Sequence, residues 1–256
     1  MNEPRNIRLS IQFDGTNYCG WLYQKHSATV QGAVSDAISG LTGSRVELIG
    51  CSRTDSGVHA AEYVLNFTDT SSIPVEKYPA ALNSFLPDDI VCKSASIVPD
   101  DFHATYSATG KTYRYYFYSA PHSMPLINKN AWYIGSDYLC TGENLADLNN
   151  SLKVLCGEHD FSSFRAMGGL SKTTVRTIYN INITHEQMND IRMYCLEVSG
   201  NGFLYNMVRI ITGTVVDIIK KRINPGDLSY ILESCDRRQA GMTAPAQGLY
   251  LWSVEY

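Results

Sequence analysis

The apolar periodicity of this chain switches between two and 3.6 residues in the same order twice, which restricts the fold more than any single motif does. In Ile7-Arg8-Leu9-Ser10-Ile11-Gln12-Phe13 apolar and polar side chains alternate, as a strand with one buried face requires. From Thr29 onward, Val30, Ala33, Val34, Ala37, Ile38 and Leu41 recur at helical spacing. Segments 46–51 and 63–67 read as a strand pair. A second helical pattern (Val75, Tyr78, Leu82, Phe85) runs between Pro74 and Pro87, and 90–97 reads as a strand. The second half repeats this order. A strand at 111–118 precedes a helix marked by Leu145, Leu148, Leu152 and Leu155. Strands at 176–184 and 193–199, a long helical pattern at 203–222 and a closing strand at 248–256 follow, with a shorter helix at 227–235. The expected class is α+β: two duplicated ferredoxin-like, RRM-like β-α-β-β-α-β halves, 1–106 and 107–256. The duplication is one of topology, with no residue-level repeat. SAPHSMPLINKN (119–130), with its two prolines, is a long connection inside the second half.

Sheets of this order stack bases on exposed aromatic rings in RNA-recognition domains. Alternation puts Tyr113 and Tyr115 on one face and Tyr116 and Tyr118 on the other. One face must be core, so most of these rings are packing, and fold order alone does not establish RNA binding. Composition narrows the classes further. At 44% apolar and 18% charged the chain is globular, and no run of 18 apolar residues could span a membrane. MNEPRNIRLS lacks a basic-then-apolar secretory signal. The seven cysteines are odd in number, scattered and never spaced Cys-x-x-Cys, which argues against a disulfide framework or zinc site and fits a reducing cytosol. A net charge of −4 argues mildly against a nucleic-acid partner. The imbalance is local, however: residues 1–110 hold 12 acids and 7 bases, whereas 111–256 hold 14 bases and 13 acids. A basic surface can form in the second half.

Residues 51–60, CSRTDSGVHA, pose the functional question. Asp-Ser-Gly is ordinary turn chemistry, yet no turn requires Arg53 beside it. Asp55 is either a turn former or a carboxylate held for chemistry. Taken singly, the bland readings lead: Asp55 a turn residue, Arg209 a solvated helix residue, Tyr113 a core ring. His59 and His103 have no ligand spacing that would join Asp55 in a metal site, so they read as structural and no metal is expected. Lys220-Lys221-Arg222 closes the long helix, where cations favour the dipole. Arg165, Lys172, Arg176, Arg237 and Arg238 are the better candidates for phosphate contacts, on a surface that could also be merely solvated.

Several stretches in order then carry a resemblance: FDGTNYCGW (13–21), ATVQGAV (28–34), SRTDSGVHA (52–60), ALNSFLPDDI (81–90), FHATYSATGKTYRYYF (102–117), GEHDFSSFRA (157–166), GNGFLYNMVRIITGT (200–214) and GMTAPAQGLYLWSVEY (241–256). Together they resemble the tRNA pseudouridine synthase A family over nearly the whole chain. The resemblance implies one pseudouridine synthase fold with a central cleft. It also implies an isomerase converting uridine to its C-glycoside in the anticodon stem-loop of tRNA, at uridines 38, 39 and 40, without cofactor or metal, as a cytoplasmic homodimer. By the same resemblance Asp55 is the essential carboxylate, as nucleophile or base, and Arg209 its ion-pair partner. Tyr113 stacks on the target base, Arg53 supports the flipped nucleotide, and Leu249 lines the pocket. The departures are Cys51-Ser52, where the family commonly has a glycine, Ser56, where alanine is common, and the less typical MGGLSKTTVR (167–176). The alternatives are the same reaction on another RNA or tRNA site, and a non-catalytic RNA-binding protein on this scaffold.

Overall fold

The computed structural model describes every residue except Met1, Asn2, Asp137, Leu139 and Leu170. The chain divides into two compact units: residues up to Thr109 together with Tyr250–Tyr256, and Gly110–Leu249. The sequence placed the division at 106/107 and kept the closing strand with the second half; in the structure that strand groups with the first.

In the first unit β1 (Arg5–Phe13), α1 (Val30–Thr42), β2 (Ile49–Gly50), β3 (His59–Asp69), α2 (Tyr78–Asn83) and β4 (Ile90–Val98) follow the expected order. The strands lie in the order β4-β1-β3-β2, all antiparallel, as a ferredoxin-like unit requires. α1 starts where its cap dictates: the Thr29 side chain accepts from Gly32 N–H, and Gly43, at φ 72°, closes the other end. The second helix is shorter than its apolar spacing suggests. Pro79 lacks the N–H that would bond back to Val75, so 75–77 form a 3₁₀ turn and the α-helix begins at Tyr78. Asn83 then pairs with the backbone of Cys92 through both its amide atoms, tying helix to strand.

The alternation in β1 correctly buries Ile7, Leu9 and Ile11, but the other face is covered too. Residues 99–104 run across it. Asn66 donates to Asn6 Oδ1 at 2.9 Å and accepts from Ala104 N–H at 2.9 Å, while Asn6 donates to the carbonyls of Pro99 and Phe102 at 3.0 Å. Arg8 lies over the rings of Tyr256 (4.8 Å) and Phe102 (5.9 Å).

The second unit contains β5 (Gly110–Ser119), β6 (Trp132–Tyr133), α3 (Glu143–Leu152), β7 (Gly157–Asp160), β8 (Val175–Met188), β9 (Ile191–Gly200), α4 (Met207–Ile219) and α5 (Asp227–Glu233). β9 runs antiparallel between β5 and β8, repeating the arrangement of β3 between β1 and β2. β7 adds to the far edge of β8, and β6 pairs parallel with the end of β5. Tyr113, Tyr115 and Phe117 form the buried face of β5. Tyr118 is also buried, because the 119–130 connection folds back over it. Its hydroxyl donates to Asn128 Oδ1 and accepts from Met124 N–H, in a small core with Ala120 and Ala131. The long helix starts at Met207 and not at 203, since Asn206 takes a left-handed conformation (φ 61°), and it ends before Lys221, also at positive φ. β10 (Leu249–Glu255) closes the chain; in the first unit its Tyr250 and Leu251 pair parallel with His59 and Ala60 of β3. No helix among the described residues is long and apolar enough to cross a membrane.

The buried asparagine pair gives a direct test of how the 99–104 crossing is held. Asn66→Ala strands Ala104 N–H and Asn6 Oδ1, each unpaired buried group costing about 1–3 kcal/mol. The expected outcome is a loss of about 2–4 kcal/mol in urea unfolding. A loss under about 0.5 kcal/mol would show that water replaces the amide and that the crossing is not pinned there.

Candidate active site

The CSRTDSGVHA turn is fixed by main-chain contacts from several directions. Cys51 N–H donates to Val64 O at 2.9 Å, and the Tyr63 hydroxyl donates to Ser52 O. Val58 N–H closes the turn on Asp55 O at 3.2 Å. The strap between β1 and α1 (residues 14–21) supplies the rest. Tyr18 O accepts from Gly57 N–H at 3.2 Å and from the Ser56 hydroxyl at 3.3 Å, and Trp21 N–H donates to Thr54 O at 3.3 Å. Two glycines make this approach possible. A Cβ on Gly15 would lie 2.0 Å from Val58 O, and one on Gly20, whose φ is 83°, would lie 2.2 Å from Thr54 O. The strap is anchored in turn by α1, whose first N–H groups donate to Gly20 O and Trp21 O, and by Trp21 stacking on Tyr63 at 4.2 Å.

These contacts bear on the question of what Asp55 is for. If the Asp-Ser-Gly pattern were an Asx turn, Gly57 N–H would be the donor to the Asp55 carboxylate. That N–H is spent on Tyr18 O, and the turn is closed by the Asp55 carbonyl. Asp55 is half-buried and Arg53 exposed. Beneath them His59 is buried and stacked on Tyr250 at 4.6 Å. Its Nδ1 lies 3.1 Å from Gly15 N and 3.0 Å from Asp14 Oδ1. One nitrogen cannot both accept and donate: with the ring proton on Nε2, Nδ1 accepts from Gly15 N–H, whereas a proton on Nδ1 would make it a donor to Asp14 instead. Burial pushes the Asp14 carboxyl up, but hydrogen bonds from Thr16 and the neighbouring His59 more than offset this and hold it below its ordinary value. His103 is likewise local, accepting through Nδ1 from Thr105 and Tyr106 N–H.

In the second unit Arg209, on the first turn of α4, is half-buried and held at two points. Its Nε donates to Ala244 O at 2.7 Å and its Nη1 to Asn206 Oδ1 at 2.8 Å, while its own carbonyl accepts from Ala244 N–H at 3.1 Å. Ala244 is placed by a close crossing of Gly213 and Gly241, where a Cβ on Gly213 would lie 1.7 Å from Met242 O. Tyr113 is 7% exposed, its ring edge-on to Phe203 at 5.1 Å. The next ring on that face, Tyr115, donates to Pro245 O at 2.6 Å; burial pushes its phenol well up, with the Arg209 charge pulling the other way. Leu249, also 7% exposed, opens β10 one residue before the pairing with His59.

The basic candidates separate into two kinds. Burial, and then the charge of Arg165, hold the Arg176 guanidinium below its ordinary value, so these two cations share one region. Both are tethered by carbonyl oxygens: Arg165 by Gly169, and Arg176 by Thr173 and Val175. Lys172 is exposed on the same loop. Arg237 instead turns onto Ala240 O and Thr243 Oγ1, and Arg238 grips Asp236 through two nitrogens, drawing that carboxyl down to about 2. The sequence did not single out Asn206, Ala244 or the glycine crossings. An asparagine directly before an apolar helical run was the one available signal, and it reads as a helix cap.

The sequence profile described as tRNA pseudouridine synthase matches residues 9–107 and 152–256. Those ranges hold Asp55, Arg209 and Leu249; Tyr113 falls in the unmatched stretch between them. A tRNA pseudouridine synthase A from Ruminiclostridium cellulolyticum is 45% identical over 252 residues, covering 98% of this chain and 100% of that relative. One from Acetivibrio thermocellus is 44% identical over the same shares, and a tRNA pseudouridine synthase A 2 from Clostridium tetani is 48% identical over 98% and 99%. The fold and these matches define an RNA-modifying isomerase of the pseudouridine synthase class. The chain belongs to the tRNA pseudouridine synthase family.

The turn's dependence on close backbone approach can be measured with two glycines of similar φ. Gly43 has open space around its missing Cβ, so Gly43→Ala carries only the left-handed backbone cost of about 1–2 kcal/mol. Gly20→Ala adds overpacking against Thr54 O, about 1–3 kcal/mol more. Urea midpoints should place Gly20→Ala clearly below Gly43→Ala; equal losses would mean the strap does not press on the turn.

Proposed function

We propose that this chain isomerises uridine to pseudouridine in the anticodon stem-loop of tRNA, at uridines 38, 39 and 40, with Asp55 as the reacting carboxylate. The observation that carries the reading is that the turn closes through main-chain bonds, with Gly57 N–H spent on Tyr18 O, so its geometry does not call on the carboxylate for that donor. In the reaction the N-glycosidic bond breaks, the base turns, and C5 joins C1′. A carboxylate starts this by adding to sugar or base, or by taking the C2′ proton, and each route uses its ionised form. Arg209 is the cation proposed to hold that form, since a guanidinium stays charged and grips a carboxylate in two places.

The target base is stacked in an A-form stem and must be flipped out, at a cost of a few kcal/mol. Arg53, exposed and two residues from Asp55, is proposed to support the flipped state. Tyr113 is proposed to stack on the base, with its edge-on contact to Phe203 fixing the ring plane, and Leu249 to line the pocket. Arg165, Lys172 and Arg176 are proposed to meet phosphates. Arg237 and Arg238 join them in the reading, though Arg238 would have to share its charge with Asp236. The seven free thiols fit a reducing cytoplasm, and the acting form is proposed to be a homodimer.

Asp55→Asn separates turn from chemistry. Asparagine keeps the size, tolerates the same backbone and leaves the main-chain bonds of the turn in place. The variant is expected to fold and bind tRNA, yet release no tritium from C5-labelled uridine in tRNA above background. Turnover near the parent rate would reject Asp55 as the reacting carboxylate.

A further inference from the structure

Asn206 occupies a position where its chemistry and its use do not match. It is the residue that caps α4, and asparagine is favoured at such positions because its side chain accepts from N–H groups of the first turn. Here no capping bond is made. Its backbone is also unusual: φ 61° and ψ 10° lie in the left-handed region, where a residue with a Cβ is uncommon and caps are normally extended. The side chain is spent elsewhere, with Oδ1 accepting from Arg209 Nη1 at 2.8 Å.

That bond completes a two-point grip. Arg209 Nε is held by Ala244 O, and Ala244 is itself placed by the Gly213/Gly241 crossing and by Gly241 N–H donating to Thr214 Oγ1. The guanidinium is planar, so fixing Nε and Nη1 fixes its plane and the direction of Nη2. A left-handed backbone that gives no cap, with its side chain spent on the neighbouring cation, is the pattern of a position that serves geometry. We propose that Asn206 is a positioning residue: its carboxamide sets the plane of the Arg209 guanidinium and so the direction in which that cation is presented to the reaction. This rests on the role given above to Arg209.

The test is steady-state kinetics on an unmodified tRNA transcript, with melting temperature measured alongside. Asn206→Gly removes the amide while suiting the left-handed backbone, so it should melt no earlier than the parent. Its kcat should fall at least about tenfold, as a misaimed group near a reacting centre costs, with KM for tRNA within about twofold. Asn206→His offers an uncharged acceptor, with Nδ1 at the same bond separation from the backbone as Oδ1, on a backbone that histidine tolerates, and should return kcat to within about threefold of the parent. A Gly variant with parental kcat would overturn the proposal. So would one that melts early and loses KM as well as kcat, or equal impairment of both variants. Arg209→Lys keeps the charge without the planar fork. Parental turnover in that variant would reject the role of Arg209 itself, whereas an inactive Lys variant beside an unimpaired Gly variant would reject only the role of Asn206.

Discussion

The carbonyl of Tyr18 is the contact on which the candidate active site depends. It takes both the Gly57 N–H and the Ser56 hydroxyl, and in doing so removes from the Asp-Ser-Gly turn the donor that an Asp side chain ordinarily satisfies. In a turn built this way the Gly57 N–H is satisfied by a main-chain carbonyl. The arrangement works only because the strap comes within a hydrogen-bond length of the turn, and that distance exists only where Gly15 and Gly20 have no Cβ. The strap stays there because α1 needs partners for its first N–H groups and finds them in Gly20 and Trp21. Cap, strap and turn are therefore one mechanical assembly.

The second unit uses the same device for a cation. Gly213 and Gly241 let a loop cross α4 at contact distance, the loop presents the Ala244 carbonyl, and that carbonyl grips Arg209. In both units a pair of glycines with close backbone approach sets the place of a charged side chain on a nearby turn or helix. Rigid backbone support suits a reaction whose catalyst must hold a detached base in register while a new bond forms.

How much of this could be read from the sequence follows from the range of each interaction. Alternation in 7–13 and helical spacing from Val30 are local, and both elements formed as read. The second helix lost its first turn to Pro79, a local signal outweighed by apolar spacing, and the long helix lost its start to the left-handed Asn206. β6 and β7 are too short to show a period. The buried polar face of β1 was illegible because residues 99–104, far along the chain, cover it. At the site, Arg53 and Asp55 were legible as an unusual pair, and Arg165, Lys172 and Arg176 as a basic cluster. Whether the Asp55 carboxylate served the turn was not, since the answer lies in a carbonyl at Tyr18. The engagement of Arg238 with Asp236 was local, two residues apart, and was overlooked in favour of its charge.

The central claim is that this backbone-closed turn presents a carboxylate that acts on uridine in the anticodon arm. It is tested most directly by incubating the purified chain with an unmodified tRNA transcript carrying uridines at 38, 39 and 40 and mapping pseudouridine base by base. Pseudouridine is expected to accumulate with time at those positions, without added metal or cofactor. A transcript that stays unmodified, or one modified only outside the anticodon arm, would contradict it.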